Sequence, residues 1–423
     1  SMNNNAYVIG HQHEAINTCL WLASMNQTVY LLADELSVLQ TLEYYQCDHQ
    51  MNTLWQLYCV QQKIIITDSQ RQAFLSSAQA GLLWLFLDDV DDITLSHIIH
   101  VLDSPHSRII LSGVQKLGKI DKIAKQFKSS WVYYLPISFM KDGANYNAFY
   151  HSDLVMIGEK TAGSVAYCQI LLSLKTYAKH CQVADILTVE FARSTLMAIL
   201  ATRLSFMNEM ARLADNQGVN IKSVERIIAQ DGRIGSAYLS AGWGFGGKTL
   251  PRELELLMDK FKQNRVDTSL ISAVSHINDD QKELIFRKFW QYFNGFIEHK
   301  TVMIWGAGYR NGASRMINSA IHPLIELLWS YGICTLVFAH NTAFEMQSTY
   351  GDHPLLRLTD DPYQDLVQAD ALFIINWSLL TKPDIHVLNQ INIAIFDAKN
   401  VLDDEQIAML TAPYYGIGRE KYS

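Results

Sequence analysis

Short apolar runs broken by helical spacing occupy both ends of the chain, and a long stretch without such runs lies between them. At the amino-terminal end, "AYVIGHQHEAINTCLWLA" reads as an apolar strand, a glycine turn and an amphipathic helix. "TVYLLADE" (28–35), "KIIITDS" (63–69), "LLWLFLDD" (82–89) and "SRIILSG" (107–113) are further apolar runs ending in turn residues, the pattern of parallel strands buried on both faces. Helical patterns separate them, so 3–160 reads as a βαβ domain. From about 162 to 290 the strand signals stop. "SVAYCQILLSLKTYAKH" and "EFARSTLMAILATRLSFMNEMARLAD" carry apolar residues at i, i+3 and i+4, which predicts a helical region over 161–290 with a long helix within about 185–215. Its apolar face is too broad to leave in water, so a homodimer packed through this region is expected. "KTVMIWGAGYR" (300–310), "CTLVFAH", "DALFIIN" and "NIAIFDAKN" then restore the strand-turn-helix pattern over 291–423.

Composition narrows the function more than the fold. A length of 423 residues suits two or three domains. The net charge is 34 − 42 = −8, which argues against a nucleic-acid or anionic-membrane partner. The longest apolar run, near "AGLLWLFL" (80–87), is too short to span a bilayer, and no secretory signal is read at the start. Cys19, Cys47, Cys59, Cys168, Cys181 and Cys334 form no CxxC pair, so neither zinc nor a disulfide framework is signalled and a reducing cytoplasm fits. His11 and His13 lack further ligands at metal spacing and read as a solvated turn.

The densest candidate chemistry is "DGRIGSAYLSAGWGFGGKTLPREL" (231–254), where glycines around Trp243 and Phe245 let the backbone approach a ligand. With "RLSFMNEMARLAD" (203–215), "VSHINDDQK" (274–282), "IFDAKNVLD" (395–403) and "YYGIGRE" (414–420), in order and spacing, the chain resembles the UDP-glucose/GDP-mannose dehydrogenase family over essentially its whole length. The resemblance implies an α/β fold of two Rossmann-like domains joined by a central helical region with a long helix. It also implies two NAD-dependent oxidations of a sugar nucleotide's primary alcohol, with a cysteine holding the aldehyde as thiohemiacetal and then thioester.

Set against that pattern, the catalytic positions are substituted. The cysteine position falls on Thr249, a hydroxyl far harder to ionise than a thiol, read here as a small buried group bonded to backbone. The aspartate four residues on is Glu253, and the lysine before it is Arg252, which cannot serve as a neutral base. The helix lysine and asparagine fall on Arg193 and Met197, and a thioether cannot replace the amide's hydrogen bonds. Ser138 and Asp142 stand at two glutamate positions, and Gly113 at a threonine that positions water.

The NAD fingerprint G-x-G-x-x-G reads "GHQHEA": Gly10 is kept, Gln12 replaces the second glycine and Ala15 the third. The ribose-binding acid falls near Leu32, with Asp34 two residues later. "DDVDD" (88–92) follows the fourth strand, and one such charge at ~6 Å from a pyrophosphate costs on the order of 2–3 kcal/mol at an effective dielectric near ~20. NAD binding is therefore expected to be weakened or lost. On the sugar-nucleotide side, Arg233 matches an arginine offered by the neighbouring subunit, Arg310 lies at or beside a phosphate-contacting lysine, Phe245, Gly246 and Gly247 keep the nucleotide loop, and Arg419 lies in "GIGR". Met316 and Ile317 replace a Phe-Arg pair. Three readings follow: a degenerate homologue that binds a nucleotide sugar as sensor, scaffold or regulatory partner, an active enzyme performing one alcohol-aldehyde oxidation, or a purely structural interaction protein.

Overall fold

The computed structural model describes residues 4–67, 81–140 and 145–421. The chain divides into two compact units, 1–196 and 197–423.

The first unit is built on an eight-stranded sheet: β1 (Asn5–Ile9), β2 (Thr28–Leu32), β3 (Ile64–Thr67), β4 (Leu82–Phe86), β5 (Arg108–Ser112), β6 (Trp131–Tyr134), β7 (Leu154–Glu159) and β8 (His180–Asp185), in the order β3-β2-β1-β4-β5-β6-β7-β8. All neighbours are parallel except β6 and β7. In β4, Leu83 and Leu85 enter the apolar cluster on one face while Trp84 and Phe86 enter that on the other. A strand buried on both sides must be apolar throughout, which is why it reads as an unbroken run. Trp21 and Phe149 stack with centroids 4.9 Å apart and thicken the core over one face.

The expectation of helices alone from about 162 onward is corrected by β8, which pairs with β7 in parallel. Most of its side chains are exposed, so this edge strand carries no apolar run. The strand read over 28–35 ends at Leu32, leaving Asp34 at the start of the Glu35–Tyr44 helix.

The second unit holds β9 (Thr301–Trp305), β10 (Cys334–Phe338), β11 (Leu356–Leu358), β12 (Ala371–Ile374), β13 (Ala394–Asp397), β14 (Tyr414–Tyr415) and β15 (Glu420–Lys421), ordered β11-β10-β9-β12-β13-β14-β15. Only the β14–β15 pair is antiparallel. Helices Ile221–Ala229, Thr249–Gln263, Ser269–Gln281 and Leu284–Tyr292 precede this sheet.

The long central helix is Ile186–Gln217, 32 residues, and the boundary between the units falls within it. Met207, Ala211 and Ala214 on it join the core of the second unit. Ile199, Phe206, Met210 and Leu213 are 54%, 55%, 38% and 54% exposed. At about 100° per residue these fall within a stripe roughly 60° wide. Among the described residues no helix is long and apolar enough to cross a membrane.

Candidate functional sites

In the first unit, β1 delivers the chain to Gly10 and then to the His13–Ser24 helix, whose N-cap is Gln12. Gly10 has φ +156°, and a Cβ there would lie 2.8 Å from Asp89 Oδ2 and 2.9 Å from the Ala15 Cβ, so only glycine fits. The backbone N–H of His11 donates to Asp89 Oδ2 at 2.8 Å, and that of Gln12 donates to the same oxygen at 3.2 Å. Asp89 stands just beyond β4, the neighbour of β1, where the strand order reverses.

The adjacent acid turns to the next loop. Asp88 accepts from the Val114 N–H at 2.9 Å and from the Gln115 side-chain amide at 2.5 Å, and a Cβ on Gly113 would come within 3.1 Å of it. Glu190, 3% exposed, accepts from the N–H groups of Ile120 and Asp121 at 3.1 and 3.2 Å, at the start of the Lys119–Gln126 helix. Burial raises its carboxyl above the ordinary range, and the N–H groups pull it back. The remaining acids of the run differ: Asp91 caps the helix that follows it, accepting from Thr94 N–H, and Asp92 is exposed. Two of the four acids, not all, therefore face the crevice.

Asp34 is exposed and accepts from the Ser37 hydroxyl, while Leu32 is buried. Ser138 is half-buried in a turn after β6, and Arg193 is 4% exposed. Asp142 lies outside the described residues.

In the second unit the 242–247 loop is held by its surroundings. Gly242 N–H donates to Asn208 Oδ1 at 2.9 Å, and Gly247 N–H donates to the Ile317 carbonyl at 2.6 Å. Phe245 pairs both ways with Asn278: its N–H donates to Oδ1 at 2.7 Å and its carbonyl accepts from Nδ2 at 3.0 Å. A Cβ on Gly246 would lie 2.5 Å from the Asn318 carbonyl oxygen, and one on Gly247 2.9 Å from the Tyr309 ring. Close packing alone thus demands these glycines. Thr249 opens the Thr249–Gln263 helix and is half-buried, where the sequence analysis expects a buried group. Glu253 and Met197 are buried.

Cations gather beside this loop. Lys399, just past β13, holds its ammonium 5.2 Å from the centroid of the Trp243 ring. Burial pushes its pKa down to about 8, and the charges of Lys222 and Arg310 push the same way. Lys222 pairs with Glu225 at 3.1 Å, and Arg310 is half-buried. Arg419 is 4% exposed, its guanidinium bonded to Asp404 at 2.5 Å and to the Leu402 carbonyl. Arg233 is exposed and forks onto Asp231 at 3.1 and 2.7 Å. Sequence reasoning singles out neither Lys399, Glu190 nor Asn278. The first was visible as a lysine ending the apolar run "NIAIFDAKN", whereas the others act on partners 69 and 33 positions away. Among the described residues no group of three or more His, Cys, Asp and Glu is placed to hold a metal ion.

Residues 188–280 match the central-domain model of the UDP-glucose/GDP-mannose dehydrogenase family. The UDP-glucose 6-dehydrogenase of Pseudomonas aeruginosa is 30% identical over 292 residues, 67% of this chain and 64% of that protein. The chain belongs to the UDP-glucose/GDP-mannose dehydrogenase family. The Rickettsia bellii UDP-glucose 6-dehydrogenase is 27% identical over 285 residues, 66% of this chain and 65% of that protein. The matches span just under two thirds of these relatives' length. A solved UDP-glucose dehydrogenase from Pyrobaculum islandicum superposes with a TM-score of 0.80 at 15% identity, covering 98% of both chains. A UDP-D-ManNAc dehydrogenase from Pyrococcus horikoshii gives 0.78 at 17% identity, covering 98% of this chain and 99% of that one. At such identities the likeness speaks for the fold alone.

Family membership raises the question of NAD at the first glycine turn. The residues there do not fit its pyrophosphate, because the two N–H groups that would meet it already hold a carboxylate.

Proposed function

We propose that this chain is a nucleotide-sugar-binding member of the family that has lost the oxidation chemistry and serves as a sensor, scaffold or regulatory partner. The observation that carries this reading is the cationic cluster of Lys399, Arg310 and Lys222 beside the 242–247 loop. Partly buried positive groups near one another repel, and a bound diphosphate relieves that cost with charge-assisted bonds. Thr249, at the family's cysteine position, offers a hydroxyl where a thiolate is needed. With Arg193, Met197, Ser138 and Gly113 also substituted, NAD-dependent turnover has no nucleophile and no set of groups to position water.

The exposed stripe of Ile199, Phe206, Met210 and Leu213 supports a homodimer through the long helix. Arg233, standing out from the surface, is then available to the sugar nucleotide of a second copy. The six free cysteines suit a cytoplasmic protein.

A purely structural reading draws on a different observation: Gly242, Phe245 and Gly247 already spend their N–H groups on internal acceptors. Calorimetry and thermal shift across a panel of UDP- and GDP-sugars separate the two. Heat and stabilisation with at least one sugar nucleotide support binding. No heat and no stabilisation across the panel would leave the structural reading standing.

A further inference from the structure

We infer that Asp89 is a built-in occupant of the dinucleotide anion site, and that this residue decides that the first unit refuses NAD. The inference rests on the cofactor half of the proposed function and is independent of whether a sugar nucleotide binds the second unit. A glycine turn leading into a helix offers its N–H groups and the positive end of the helix dipole to an anion. Here one carboxylate oxygen takes both N–H groups, from His11 and Gln12, reaching the turn from 77 and 78 positions along the chain. The N-cap side chain, Gln12, makes no capping bond of its own, and Asp89 holds the two N–H groups that immediately precede the first helical residue. Contact is close enough that no side chain is admitted at Gly10, which pins the carboxylate against the backbone.

The neighbouring loop is closed by the same means. Asp88 takes the Val114 N–H and the Gln115 amide, so a ligand entering over β4 and β5 meets a second internal anion. A pyrophosphate must therefore displace Asp89 from its two donors and then sit beside both carboxylates. The barrier is the chain's own charge, and the bulk of Gln12 is secondary to it.

The test titrates NAD and ADP-ribose against the full chain, Asp89→Gly, Asp89→Asn and Gln12→Gly, by calorimetry and thermal shift, with circular dichroism to verify folding. The unmodified protein should show no stabilisation by either ligand. Asp89→Gly, which vacates the turn, should gain on the order of a hundredfold in affinity. Asp89→Asn keeps the volume and one acceptor but removes the charge, and should gain less. Gln12→Gly alone should gain nothing, because the carboxylate stays on the turn. Low-micromolar NAD binding by the unmodified protein overturns the inference, as does a folded Asp89→Gly or Asp89→Asn that gains affinity for neither ligand. Equal gains from Gln12→Gly and Asp89→Gly overturn it as well, by assigning the block to the Gln12 side chain. A parallel UDP-glucose titration reports on the proposed function alone.

Discussion

The two units carry the same kind of parallel sheet and treat charge in opposite ways. In the first, carboxylates gather over the ends of the strands: Asp89 on the turn after β1, Asp88 on the loop after β5, and Glu190 on the helix start that follows. In the second, the Lys399 ammonium lies beside Trp243 of the glycine loop, and the charges of Lys222 and Arg310 reach it. Each arrangement takes a position on anions. Carboxylates satisfy N–H groups that would otherwise seek a phosphate, whereas neighbouring cations favour an anion. The fold is neutral between these outcomes, so function has to be argued from the groups lining each sheet.

The largest effect expected is on catalysis. UDP-glucose with NAD should yield no measurable NADH or uronate, and Thr249→Cys should not restore either, since Arg193, Met197, Ser138 and Gly113 remain substituted. Robust NADH production by the unmodified protein would erase the contrast and favour a single alcohol-aldehyde oxidation.

Next in size is the cationic side. Arg310→Ala or Lys399→Ala should weaken a bound sugar nucleotide by about 1.5–3 kcal/mol, ten- to a hundredfold, and added salt should weaken it further. If Arg233 serves a second copy, Arg233→Ala lowers affinity alongside dimer formation, a coupling visible in concentration-dependent titrations.

Smaller effects concern stability. Asn278→Ala strips both buried partners from Phe245 and should cost about 1–3 kcal/mol in chemical denaturation. Asp89→Ala removes the acceptor of two turn N–H groups and should cost about 0.5–1.5 kcal/mol. A destabilised Asp89→Ala that is rescued by NAD would sharpen the comparison considerably.

A further effect is in pH. Lys399 titrates at about 8 in the folded chain and at its ordinary 10.5 when unfolded. Between those values the unfolded state binds more protons, so stability rises with pH across that window. Affinity for an anion moves the other way, falling as the ammonium loses its proton above about pH 8. Lys399→Met should flatten both trends, and unchanged profiles would remove Lys399 from the cluster.

Much of the fold was legible because strands buried on both faces must be apolar at every position, as in Leu83–Phe86. β8 was not, since exposed side chains at a sheet edge leave no such signature. The sites divide the same way. That acids follow the fourth strand could be read directly, but which of them turns inward depends on a partner about 77 positions away. Likewise, Asn278 looks like an ordinary polar helix residue until Phe245 is folded against it.

The carboxylate on the first turn also bears on the protein's history. While Asp89 holds the two N–H groups of the turn that leads into the His13–Ser24 helix, any mutation that reopens the turn removes that anchor in the same stroke. Regaining a cofactor therefore begins with a less stable protein, and a reopened anion site brings no oxidation while Thr249, Arg193 and Met197 stay at the catalytic positions. Descent with that aspartate in place behaves as a ratchet. Reversal requires the turn and the catalytic positions to change together through a destabilised intermediate, so lineages carrying it are expected to drift further from oxidation rather than return to it.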